Sequence, residues 1–109
     1  MDLVEELINL QKQLEISVKQ LRKTGGEYAT AYTDYRIALA KKLVEVRDNG
    51  TPVTLCSDLA RGDTYVAKCK FEEISKEAIY KANLESINSL KLRIKILQNQ
   101  IDKEWSLNG

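Results

Sequence analysis

Apolar residues recur along the first half of the chain at helical spacing. Leu3, Leu7, Leu10 and Leu14 step by four, three and four, and Val18 and Leu21 continue the stripe. From Leu21, steps of seven reach Tyr28 and Tyr35, with Tyr32 and Leu39 in the alternate position, so an unbroken helix keeps one face apolar throughout. Gly25-Gly26 interrupts the composition at a cost of about 2 kcal/mol relative to two alanines in a helix interior. Because the stripe resumes in phase, a single helix over residues 2–48 is predicted, with the glycines as the place for a kink. Asp2, Glu5 and Glu6 at its start and Lys41, Lys42 and Arg47 towards its end match the helix dipole.

Residues 64–106 show the same period without an internal glycine or proline. Ala67, Phe71, Ile74 and Ala78 supply an apolar face near its start. Ile87, Leu90, Ile94, Leu97 and Ile101 continue it, with Trp105 four residues further on, and the closing "SLNG" reads as a frayed end. Between the two long segments lies the connector 49–63, "NGTPVTLCSDLARGD". Asn49-Gly50 stops the first helix and Pro52 forces Thr51 out of helical geometry. Thr54 is placed to cap a short helix over 55–61, Gly62 to end it in the left-handed conformation, and Asp63 or Thr64 to cap the last helix.

The expected architecture is all-α: a long antiparallel helical hairpin with a short helix in its connector. Pairing about the centre of the connector sets Tyr35 near Lys76 to Ala78, Tyr32 near Tyr80, Leu14 near Gln98 and Leu7 near Trp105. A two-helix hairpin buries one stripe per helix. Val4, Ile8, Ile16, Ile79, Leu84, Leu92 and Ile96 fall off that seam, so a second partner is expected, most simply another copy in a homodimeric four-helix bundle or a higher homo-oligomer.

Composition narrows the function. A chain of 109 residues reads as one domain. With 17 basic and 16 acidic residues its net charge of +1 gives no bulk electrostatic case for nucleic-acid binding. Histidine is absent, which removes Ser-His and Cys-His nucleophile pairs, histidine general bases and His-ligated metals. Cys56 and Cys69 stand thirteen residues apart without a CxxC partner and read as small, reduced packing residues. A non-enzymatic protein without metal or cofactor is expected. The acidic start and the lack of a long apolar run argue against secretion or a membrane span, and for a cytoplasmic protein.

"DYRIALAKKL", "RDNGTPVT", "DLARGD", "KFE" and "LKLRIKILQNQIDKEW", in that order, resemble a set of small helical proteins carried by phages and prophages of Gram-positive bacteria, mostly without an assigned function. The resemblance spans residues 28–105 and is most specific at "GTPVT" followed by "DLARG". "LC" at 55 and 56 departs from the aliphatic pair expected there. The resemblance implies a phage accessory protein acting in the cytoplasm of a bacterial host cell, and it brings no biochemical activity with it.

Two constellations are candidate sites. In the connector, Val53, Leu55 and Leu59 can close the end of the bundle while Arg61 pairs with Asp58 or Asp63. The same stretch, with two helix N-termini near Thr54 and Asp63 and with Arg47, Arg61 and Lys68 nearby, can instead hold a phosphate or carboxylate. In "YATAYTDYR", Tyr28, Tyr32 and Tyr35 share a helical face flanked by Arg36. They read either as core residues or, with Tyr80 and Lys81 at the same level, as aromatic faces and cations for a nucleotide base and its phosphate. "KLRIK" spreads its charges around the helix, and the glycine of "DLARGDTYVAK" comes too early for a helix-turn-helix. The leading expectation is a binding protein that sequesters an anionic nucleotide signal of host defence. The alternative is an accessory of phage DNA replication or recombination that binds single-stranded DNA or a protein partner.

Overall fold

The computed structural model describes residues 2–108, without the side chain of Asn108. These residues form three helices, α1 (Leu3–Asp48), α2 (Val53–Gly62) and α3 (Thr64–Asn108), and no strand. α1 starts where Asp2 accepts hydrogen bonds from Val4 N (3.1 Å, side chain) and Glu6 N (3.0 Å, carbonyl), a cap on the helix end that prefers negative charge. It stays helical through Gly25 and Gly26. A Cβ at Gly25 would stand 3.2 Å from Tyr80 Cε1, so glycine admits the tyrosine ring against the backbone here. The last helix runs on through Ser106 and Leu107, where the sequence pattern predicts fraying, and Gly109 lies outside the described residues.

The chain divides into two compact units. A connector unit comprises Thr24–Tyr80, and a terminal unit comprises the residues up to Lys23 together with those from Lys81. In both, α1 packs along α3 in a hairpin-like arrangement.

In the terminal unit Leu10, Leu90 and Leu97 form the buried core, with Leu3, Leu7, Leu14, Ile94 and Ile101 packed against it. These are the predicted seam positions. Two corrections apply. Val18 is half exposed because Ser17 takes the inward position, where its carbonyl accepts a 3.0 Å hydrogen bond from the buried Asn83 side chain. Trp105, predicted on the seam opposite Leu7, is 73 % exposed. Val4, Ile8, Ile16, Leu92 and Ile96 lie off the seam in solvent, as the pattern predicts.

In the connector unit the core joins all three helices: Tyr35, Ala38 and Leu39 from α1, Ala60 from α2 and Val66 from α3, with Leu43 and Cys69 against them. The register differs from the predicted one. Tyr28 meets Glu77, seven residues earlier on α3 than predicted, about two helical turns or roughly 10 Å. The same shift sets Lys70 over Tyr35 and Gly25 against Tyr80. The cause is α2. It is a three-turn helix whose buried Ala60 packs with Tyr35, Ala38 and Leu39 of α1 instead of a short cap across the end, and α1 projects past the start of α3.

The inward face of α3 also differs from the predicted one, and a slide of about two whole turns does not cause this: heptad steps back from the buried Ile87 run through Tyr80, Glu73 and Val66. Val66, Glu73 and the half-buried Lys76, Glu77 and Tyr80 line the seam, whereas Ala67, Phe71, Ile74 and Ala78, predicted to line it, are exposed. The spacing of Ala67, Phe71, Ile74 and Ala78 marks an apolar stripe, but its phase sets it off the line that Ile87, Leu90 and Leu97 continue.

Candidate functional site

The connector is built as a turn. Gly50 takes φ +86°, the left-handed conformation that favours glycine, and Asn49, Gly50 and Thr51 donate their amides to carbonyls of Glu45, Arg47 and Val46, closing the end of α1. Pro52, at φ −54°, precedes α2 and acts as its N-cap residue without a side-chain hydrogen bond. Thr54 lies inside α2, exposed, and is not its cap. Gly62 is helical and not left-handed, and the chain leaves α2 at Asp63 with extended backbone. Val53, Leu55 and Leu59, expected to close the bundle end, are exposed. Cys56 is the buried residue of this turn, its thiol donating to the carbonyls of Pro52 (3.4 Å) and Thr51 (3.5 Å).

Asp63 is the pivot. Its carboxylate accepts from the amides of Tyr65 (3.1 Å) and Val66 (3.2 Å), capping α3, and pairs with Lys42 at 3.3 Å. Arg61 therefore does not pair with it. The Val66 amide, with Lys42 beside it, holds the Asp63 carboxyl below the usual carboxylate range. Since the folded pKa is depressed, its contribution is full above the ordinary carboxylate pKa and is lost as pH falls through the lowered one. Acid unfolding of Asp63→Asn, followed by circular dichroism, is expected to depend less on pH over that window than wild type, because the amide keeps a cap acceptor but cannot titrate.

The tyrosine band separates into inward and outward members. Tyr28 donates from its hydroxyl to Glu77 (2.8 Å) and stacks at 5.9 Å, tilted, on Tyr80. That hydrogen bond to a carboxylate raises the phenol's pKa and keeps it a donor. Glu27 and Lys76 pair at 3.4 Å one position along each helix. Tyr35 is buried, with the Lys70 ammonium 4.7 Å from its ring centre, and Lys70 in turn holds the buried Glu73 carboxylate at 2.8 Å. The Glu73 bond raises the Lys70 pKa and keeps the lysine charged. Lys70, Glu73 and Glu77 carry no motif. They become visible only once the register is known.

Among the predicted site residues, Tyr35 belongs to the core and Tyr80 to the seam. Tyr32 is 47 % exposed, and Arg36, Arg61, Lys68 and Thr54 are exposed as well. Lys81 falls in the terminal unit. Arg36, Arg61 and Lys68 make no ion pair among the described residues. A further cleft of about 110 Å³, lined by Asp34, Ile37, Ala38, Lys41 and Tyr65, opens on the connector unit. Tyr65 there has its pKa raised first by the neighbouring Cys69 thiol and also by Asp34. Among the described residues no group of three or more Cys, Asp or Glu is placed to hold a metal ion, and no helix is long and apolar enough to cross a membrane. No family model, curated protein or solved structure matches the chain.

Proposed function

We propose that the chain is a non-enzymatic helical binding protein of the phage accessory class its sequence resembles, that it works as a homo-oligomer, and that it sequesters an anionic nucleotide of host defence in the host cytoplasm. The observation that carries this reading is the inversion on α3. The hairpin seam of the connector unit is lined by Glu73, Lys76, Glu77 and Tyr80, while Phe71 (66 % exposed) and Ile74 (58 %) stand in solvent between Ala67 and Ala78. An apolar stripe at helical spacing outside a polar seam is an association surface. This one is symmetric about its midpoint, so a second copy laid antiparallel sets Phe71 against Ile74 and Ala67 against Ala78, as a two-fold interface requires.

Support for an anionic ligand comes from the outward Tyr32 ring with Arg36 one turn away, and from Arg61 and Lys68, all free of ion pairing. The test is thermal unfolding with a panel of cyclic and linear nucleotides. A bound nucleotide at 100 times its dissociation constant adds about 2.7 kcal/mol. Absence of a shift with every member of the panel rules the nucleotide out. Binding of single-stranded DNA that weakens steeply with salt would instead favour a role in DNA replication or recombination.

A further inference from the structure

In the terminal unit a groove of about 320 Å³ opens between the helices, lined by Gln13, Ile16 and Ser17 of α1 and Ser86, Ser89, Leu90 and Arg93 of α3. We infer that this groove is an anion site that takes the phosphate group of a small phosphate ester, with Arg93 as its charged anchor and Ser17, Ser86 and Ser89 as hydroxyl donors.

The lining contains one guanidinium, three hydroxyls and one amide, and no carboxylate. Every polar side chain in it can donate a hydrogen bond, and the only charge is positive, so the groove suits an anion and offers nothing to balance a cation. Arg93 is exposed and makes no ion pair among the described residues. Hydroxyls within helices usually bond back to a carbonyl one turn earlier, as Thr33 does to Ala29 at 2.9 Å. No hydrogen bond of this kind engages Ser17, Ser86 or Ser89. Their small side chains also create the groove, since larger ones at these levels would fill it.

Beneath the polar lining lies the buried Leu90, and Ile16, 57 % exposed, is an apolar part of the wall. The volume falls in the range of about 300 to 1,000 Å³ typical of small-molecule sites and exceeds what a free phosphate fills. The groove thus has room beside a phosphate for an organic remainder, which would cover the exposed side of Ile16. This deepens the nucleotide reading, on which it rests for the identity of that remainder. Spacing did not reveal the site, because Arg93 belongs to "KLRIK", whose charges diverge, and the serines carry no motif.

The test is amide chemical-shift mapping on the full chain with inorganic phosphate and with adenosine 5′-monophosphate, in wild type, Arg93→Gln and Ser86→Ala/Ser89→Ala. Both probes are expected to move the amides of residues 86–93, the monophosphate more tightly. Arg93→Gln is expected to weaken both about tenfold or more, and the serine double variant to weaken them less, with the helical spectrum unchanged. Phosphate binding in the groove without any nucleotide binding keeps the anion site and removes the nucleotide reading. Monophosphate shifts confined to the surroundings of Tyr32 and Arg36 keep the nucleotide reading and overturn the groove. No perturbation at the groove by either probe at millimolar concentration also overturns it.

Discussion

Tyr35→Ala is expected to lower the unfolding free energy by about 3 to 5 kcal/mol, the cost of truncating a buried aromatic ring. Tyr35→Phe should change it by less than about 1 kcal/mol. The ring lies in the cluster that joins Ala38 and Leu39 of α1 to Ala60 of α2 and Val66 of α3, so its removal opens a cavity where all three helices meet. Ala60 is fully buried and Val66 is 1 % exposed, and neither alanine nor valine has the reach to fill the space. The ring also carries the Lys70 ammonium at 4.7 Å, and Lys70 neutralises the buried Glu73 carboxylate. Losing the ring therefore loosens a charge pair whose acid sits on the seam. Phenylalanine preserves both the volume and the cation–π face. Urea unfolding of the two variants decides the matter. A wild-type-like Tyr35→Ala combined with lost ligand binding would return Tyr35 to the ligand site that its spacing with Tyr28 and Tyr32 suggests.

The sequence makes the helices legible because their signals are local. The heptad steps from Leu3 to Leu14, the stop at Asn49-Gly50, Pro52 ahead of α2 and the Asp63 cap each act within a turn or two of the residue that carries them. Register is different, because it depends on where α2 packs. With Ala60 packed against Tyr35, Ala38 and Leu39, α2 lies along α1 and the pairing of α3 is displaced by two turns, and no single residue announces this. The site reading inherits that shift. Tyr28, not Tyr32, meets Tyr80, Tyr35 goes under Lys70, and the acids that organise the seam, Glu73 and Glu77, look in the sequence like any solvated pair on a helix. Of the off-seam apolar residues, Val4, Ile8, Ile16, Ile79, Leu92 and Ile96 are exposed as their spacing predicts, while Leu84 is half-buried. Phe71 and Ile74 are assigned to the hairpin on spacing alone, although heptad steps back from Ile87 run through Tyr80, Glu73 and Val66 and leave them on another face.

Phe71→Ser/Ile74→Ser carries the largest expected effect on assembly. If the stripe meets a second copy, the pair loses two large apolar contacts at the centre of the interface, each costing about 2 to 5 kcal/mol when buried. The dissociation constant should then rise by at least about a hundredfold. In an isolated chain the same changes fall on side chains 66 % and 58 % exposed, where serine should shift stability by only about 0.5 kcal/mol apart from helix propensity. The two cases separate in sedimentation velocity over a wide concentration range, and in the unfolding midpoint, which rises with protein concentration for an oligomer and stays fixed for a monomer. The expected result is a wild type that sediments as an oligomer with a concentration-dependent midpoint, and a double variant that is monomeric, still helical and concentration-independent. A wild type that stays monomeric at every concentration, or a double variant with unchanged assembly, removes the stripe as the self-association surface. The double variant stays helical because the apolar core of the connector unit, Tyr35, Ala38, Leu39, Ala60 and Val66, lies on the other side of α3 from the stripe and is untouched by the two substitutions.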